Sequence, residues 1–287
     1  MKELKGLGTA LITPFKEDGS VDYEALARLL DTQLTGAVDY IVVLGTTGEA
    51  ATLTADEKRE VRQFIVRYVN GRLPLVLGVG GNNTMQVISD LDAMRNEGIL
   101  DFSAILSVCP YYNKPNQEGL YQHFCVVADA SPVPVILYNV PGRTGVNLLP
   151  ETVMRIWEAK PEKIVGIKEA SGNLDQIKKL IGLAEGKLLV ISGDDGIACE
   201  VMEAGGAGLI SVASNAFPED FYNIVHKKDQ TLQTRYAEMI RLLFAEGNPV
   251  GIKAVLAQKG IIRNYLRLPL VPASKELENQ FVQLLNR

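Results

Sequence analysis

Along this chain, apolar residues gather into short runs rich in β-branched side chains, recurring at roughly 25 to 35 residues, the length of one strand-helix unit. Eight such runs occur: GTALITPF, YIVVLG, LPLVLGV, FSAILSV, PVILYNV, IVGIKEA, KLLVISG and AGLISV. Each is continuously apolar, as a parallel strand covered on both faces should be. Between them lie stretches with helical spacing, such as YEALARLLDTQL, ADEKREVRQFIVRYV, TMQVISDLDAMRNEG and LPETVMRIWEA. Strand and helix alternate throughout. The pattern predicts an α/β fold, a (β/α)8 TIM barrel over residues 1–226, with VDYEALARLL in its first helix. Residues 227–287 hold more helix than a barrel needs and are expected to form a small C-terminal helical extension, not a second globular domain.

A doubly wound open sheet is the rival topology, and its mark would be GxGxxG after a strand. LGVGGNN has two suitably spaced glycines but Asn83 where the last should stand, so these glycines are expected to turn a barrel loop. Composition narrows the function classes. The chain has 287 residues, 47% hydrophobic and 22% charged, ordinary for a globular protein with a large core. A net charge of −5 with no long basic run argues against nucleic acid or anionic lipid as partner. Cys109, Cys125 and Cys199 are odd in number and far apart, which fits neither a disulfide framework nor a thiolate metal site. MKELKGLGTALITPFKEDG has too short an apolar run for a signal peptide or membrane span, so a cytoplasmic chain is expected.

Barrel enzymes carry their chemistry at the C-terminal ends of the strands and in the loops that follow. There this sequence places Thr46 and Thr47 of LGTTGEA, Tyr111 and Tyr112 of CPYYNKP, Tyr138 and Arg143 of YNVPGRTG, Lys168 of IVGIKEA, and Gly193 with Asp194 and Asp195 of SGDDG. A lone Lys168 is best read as snorkelling to the rim or pairing with Glu169. In this company it reads as a Schiff-base nucleophile, because burial and a cation such as Arg143 disfavour the ammonium and free the amine to attack a ketone. Tyr138 and Tyr112 are either packing aromatics or, joined to Thr47, a relay that moves protons during imine formation. Tyr111 is then the packing member of its pair.

GTTGE offers two hydroxyls and a run of backbone N–H groups that suit a carboxylate, or else simply turns the chain. Arg143 suits a second carboxylate, or else lies on the surface. Together they point to small acidic substrates. The two aspartates of SGDDG are expected to cap a helix and not to hold a metal. His123 and His226, the only histidines, fall on separate helices without ligand spacing.

GTALITPF, GTTGEAATL, PYYNKPNQEGLYQHF, YNVPGRTG, GIKEASGN, SGDD and GGAGLISV together resemble the dihydrodipicolinate synthase and N-acetylneuraminate lyase family of class I aldolase barrels, nearly from end to end. The resemblance implies that Lys168 forms an imine with pyruvate and that Thr47, Tyr138 and Tyr112 relay protons, with Tyr112 reaching across a subunit interface. It implies that Thr46 and Thr47 hold the pyruvate carboxylate and that Gly193 and Ile210 line the site. Arg143 sides with the synthase branch, where the equivalent arginine binds the carboxylate of L-aspartate 4-semialdehyde. The implied activity is a lyase condensing those two substrates in lysine and diaminopimelate biosynthesis, without metal or organic cofactor, in a homotetramer built as a dimer of dimers. A related aldolase acting on a sugar acid, or a small-acid sensor without turnover, are the alternatives. Gln86 and Ala55 depart from the residues of lysine-sensitive members and imply weak or absent feedback inhibition.

Overall fold

The computed structural model describes residues 4–286. Eight strands, β1 Gly6–Ala10, β2 Tyr40–Val43, β3 Leu75–Gly78, β4 Ala104–Val108, β5 Val135–Asn139, β6 Ile164–Glu169, β7 Leu189–Ser192 and β8 Gly208–Ser211, close into a parallel barrel in sequence order, with β8 returning to β1. Around it run α1 Tyr23–Thr35, α2 Ala55–Val69, α3 Thr84–Met94, α4 Gln117–Ala130, the single turn α5 Pro141–Thr144, α6 Pro150–Ala159, α7 Leu174–Ala184, α8 Ala198–Glu203 and α9 Pro218–Lys227. Polar caps start most of these helices, where the first N–H groups lack partners. Asp22, Asn83, Asn116 and Asn173 cap α1, α3, α4 and α7, and Thr54 with Glu57 forms a capping box on α2. Asn83 stands where a dinucleotide fold would need glycine because it caps α3.

The strands are buried on both faces, as their continuous apolar runs require. One set of side chains, including Tyr40, Val42, Val76, Leu106, Ile136 and Ile191, fills the barrel, while the alternate set packs under the helices. Gly8 makes room for the largest interior residue: a Cβ there would lie 2.2 Å from the Tyr40 ring.

The first strand is shorter than its run. GTALITPF ends as a barrel strand at Ala10: Leu11 N gives one last bond to the Val42 carbonyl at 3.0 Å, Phe15 forms an isolated antiparallel bridge with Val21, and Leu11, Ile12 and Phe15 are all buried. Pro14 has no N–H to give a ladder, and the side chain of Asn215 takes over, accepting from Ile12 N at 3.1 Å and donating to the Ala10 carbonyl at 2.8 Å. Beyond α9, α10 Gln230–Leu243, α11 Val250–Gln258 and α12 Lys275–Leu285 complete the chain. α10 packs on the turn after β7 and α11 on the turn after β8, which brings the C-terminal helices beside the barrel mouth.

Candidate active site

Lys168 is the penultimate residue of β6, in register with Tyr138 of β5 on one side and Ile191 of β7 on the other. Partners in a parallel ladder point to the same face, and Tyr138 and Ile191 belong to the interior cluster. Lys168 therefore projects into the barrel, 6% exposed, with its Nζ 4.5 Å from the centroid of the Tyr138 ring. Its amine makes no hydrogen bond or ion pair with any described residue. Glu169, one position on, faces the other way: it accepts from Ser171 N at 2.8 Å, Asn139 Nδ2 at 2.9 Å and Gln176 Nε2 at 3.1 Å. The bland pairing of Lys168 with Glu169 is thus excluded by strand alternation.

Gly193 lies against the lysine stem, where a Cβ would meet Lys168 Cε at 2.9 Å and Ala170 Cβ at 2.6 Å. Ile210 of β8 joins the same interior cluster as Tyr138. GTTGE forms a 3-10 turn, Thr46–Gly48, and a second one, Ala50–Thr52, follows it ahead of α2. The first bond of the turn runs from Gly48 N to Gly45 O at 3.0 Å, so the amides of Thr46 and Thr47 precede it and have no partner within it. Thr46 is exposed and Thr47 buried.

Thr46 and Tyr138 also line a cavity of about 460 Å³ that opens toward α2 and α3 and reaches Tyr111, Arg59 and Arg62. Tyr111, expected to pack, is partly exposed along this cavity. Tyr112 is 89% exposed and left-handed, with φ of 73°. Its loop is held by Asn82 Nδ2 to Tyr111 O at 3.1 Å and Asn113 Nδ2 to Asn82 O at 2.9 Å. Arg143 lies on α5, exposed, with Nη2 donating to the Asn248 carbonyl at 3.4 Å. A single chain thus gathers Lys168, Tyr138, Gly193 and Ile210 at the mouth, while Tyr112 is left outside. Ala55 opens α2 beside the cavity, and Gln86 donates to Asp90 at 2.9 Å.

The SGDDG aspartates act on backbone, as expected. Asp194 accepts from Gly196 N at 2.8 Å, and buried Asp195 accepts from Val212 N at 3.1 Å and Ala213 N at 3.4 Å. Burial, and secondarily Asp194, pushes the Asp195 carboxyl up to about 6.

The Dihydrodipicolinate synthetase family model matches residues 3–287. The chain belongs to the dihydrodipicolinate synthetase family. It is 50% identical to the 4-hydroxy-tetrahydrodipicolinate synthase of Parabacteroides distasonis, with 94% of this chain and 92% of the relative covered. Identity is also 50% with the enzyme of that name from Flavobacterium psychrophilum, with 98% and 97% covered. Among solved structures, a chloride-inhibited dihydrodipicolinate synthase from Acinetobacter baumannii in complex with pyruvate superposes with a TM-score of 0.93 at 40% identity, over 99% of this chain and 98% of that one. A dihydrodipicolinate synthase from Thermotoga maritima gives a TM-score of 0.93 at 38% identity, over 98% and 97%.

Within this dihydrodipicolinate synthetase family chain, one set of residues escaped the strand-end rule because it comes from the extension. Asn248, just before α11, donates through Nδ2 to Thr47 Oγ1 at 2.9 Å. Lys253 of α11 is fully buried and ion-paired with Glu49 of the GTTGE turn. Arg267 donates its backbone N–H to Glu49 Oε2 at 3.2 Å and its guanidinium to Glu57 Oε2 at 2.8 Å. Bonding from Arg267 holds the Glu57 carboxyl down at about 2. Burial pulls the Lys253 amine down to about 8, against the opposing pull of Glu49. The available signal was an acid, Glu49, left in an otherwise small and neutral turn, which needs a cation from elsewhere.

Proposed function

We propose that this chain is a 4-hydroxy-tetrahydrodipicolinate synthase, condensing pyruvate with L-aspartate 4-semialdehyde through an imine on Lys168. The observation that carries this is the amine of Lys168, buried at the end of β6 over the Tyr138 ring with no acid beside it, in a chain of this family. An amine held this way is available to attack the ketone carbon of pyruvate. Water leaves the carbinolamine and a protonated imine remains. Loss of a methyl proton gives the enamine, which adds to the aldehyde carbon of the second substrate. The amino group of that substrate then closes on the imine carbon, releasing Lys168 and the cyclic product. The protonated imine is itself the electron sink.

Thr47, Tyr138 and Tyr112 move the protons of these steps, and Tyr112 comes from a second copy of the chain. Its exposure and left-handed backbone, in a loop fixed by Asn82 and Asn113, support this, because a strained and uncovered phenol has no packing role in its own subunit. Thr46 and Thr47 hold the pyruvate carboxylate at the opening amides of the 3-10 turn. Arg143, at the rim, holds the carboxylate of the semialdehyde, and Gly193 and Ile210 bound the site. The assembly is a homotetramer made of two such dimers. The enzyme is cytoplasmic, consistent with three free thiols and, among the described residues, no helix long and apolar enough to cross a membrane.

Borohydride reduction in the presence of pyruvate should add a pyruvyl mass to the peptide holding Lys168, and an unlabelled peptide refutes the assignment. In a coupled assay, aspartate semialdehyde should be turned over and sugar aldehydes should not. Lys168→Ala should abolish turnover. Arg143→Ala should still form the pyruvate imine but raise KM for the semialdehyde at least about tenfold, the scale of a lost charged hydrogen bond.

A further inference from the structure

Thr47 is the one member of the proposed relay whose hydroxyl already has a hydrogen-bond partner within a single chain. That partner, Asn248, is 7% exposed and belongs to the extension, with Nδ2 2.9 Å from Thr47 Oγ1. A carboxamide nitrogen only donates. Thr47 Oγ1 therefore accepts from Asn248, and the proton of the hydroxyl is directed to whatever lies on its other side.

The backbone that carries Asn248 is held independently at several points. Its carbonyl accepts from Arg143 Nη2 at 3.4 Å. Further along, on α11, buried Lys253 pairs with Glu49 of the same turn that holds Thr47, donates to the Tyr265 carbonyl at 3.1 Å, and lies 4.1 Å over the Phe15 ring. The turn itself is tied down by Thr13 Oγ1, which donates to the Gly48 carbonyl at 2.7 Å. The segment before α11 and the GTTGE turn are therefore one rigid unit, and the Asn248 amide is presented to Thr47 at fixed distance.

We propose that Asn248 is a positioning residue for the reaction: it occupies the acceptor side of Thr47 and so orients the Thr47 proton into the relay, while its backbone carbonyl braces Arg143. This rests on the reading of Thr47 as a relay member. Asn248 touches no substrate in this role: its side chain acts through Thr47 and its carbonyl through Arg143.

A double-mutant cycle on the full-length enzyme tests it, using Asn248→Ala, Thr47→Val and the double variant, with kcat and both KM values measured. Asn248→Ala alone should lower kcat by about ten- to a hundredfold, part of what a positioned proton donor contributes, with KM for pyruvate within about threefold. In the Thr47→Val background the same change should cost less than about twofold. Asn248→Asp keeps the shape but presents acceptors, drawing the Thr47 proton toward itself, so its kcat should be at least as low as that of Asn248→Ala. A residue that merely fills space gives the opposite ranking and an additive cycle, and either result overturns the proposal. If Asn248→Ala does not fold, as judged by thermal melting, the cycle is run with Asn248→Asp and read the same way. Borohydride trapping of pyruvate on wild-type Lys168, done on the same preparation, separates the two levels. With trapping present and an additive cycle, this inference alone falls; with trapping absent, the parent reading falls and takes this one with it.

Discussion

Lys168 and Glu169 are neighbours in sequence and face opposite sides of β6, and that difference decides what each can do. The lysine meets the interior and an aromatic face, while the glutamate meets two carboxamides and a backbone N–H. Alternation along a strand was legible in the sequence; the identity of the groups waiting on each face was not. Asp195 is a second case. Its place beside Asp194 suggested a cap, but its complete burial comes from the turn after β8 folding over it. With the carboxyl raised from 3.8 to about 6, chiefly by burial, the protonated form is favoured in the folded state. Its stabilising contribution is therefore complete below about pH 4 and lost as the pH rises through about 6. Asp195→Asn, which keeps an acceptor for Val212 N, should be more stable than wild type by on the order of 2 to 3 kcal/mol above pH 6 and no more stable near pH 4. Urea unfolding at the two pH values checks this, and a constant difference between the variants contradicts it.

The element that matters most to the site is one whose sequence looked dispensable. Helix α11 lies in the extension, yet it supplies Lys253 to Glu49 and is preceded by Asn248, so it clamps the GTTGE turn. Partners so distant along the chain leave no periodic trace, because periodicity records which face of an element is buried and not what buries it. The capping box of Thr54 and Glu57 was similarly readable as a helix start, but not the second use of Glu57 as anchor for Arg267. Lys253→Met strands the Glu49 carboxylate in a dry site and should cost about 3 to 5 kcal/mol of stability. Lys253→Met with Glu49→Gln should recover most of that, since a pair replaced together leaves no buried charge. Equal unfolding free energies for the single and double variants would show that the pair is not the clamp.

At the scale of the whole molecule, barrel closure gathers residues from β2, β5, β6, β7 and β8 at one mouth but leaves Tyr112 exposed. If Tyr112 serves the site of a second copy, two inactive variants should rescue each other. Lys168→Ala and Tyr112→Phe subunits, mixed and re-formed, should produce mixed dimers with one intact site and regain about a quarter of wild-type activity, as random pairing places half the chains' worth in dimers with one working site of two. No recovery, with mixed dimers verified by native mass spectrometry, contradicts the cross-subunit role. Much of this architecture was determined by the sequence alone. Eight continuously apolar runs separated by amphipathic helices require a parallel sheet covered on both faces, and chemistry-bearing residues at the run ends follow from the barrel rule, because both are local patterns of burial. Tertiary structure alone decided that the first run ends as a strand at Ala10, where Asn215 takes its bonds, and that the extension locks the catalytic-side turn through Lys253 and Asn248. Those outcomes depend on contacts between residues hundreds of positions apart, where a charge or hydroxyl is satisfied by whichever group the closed fold brings near.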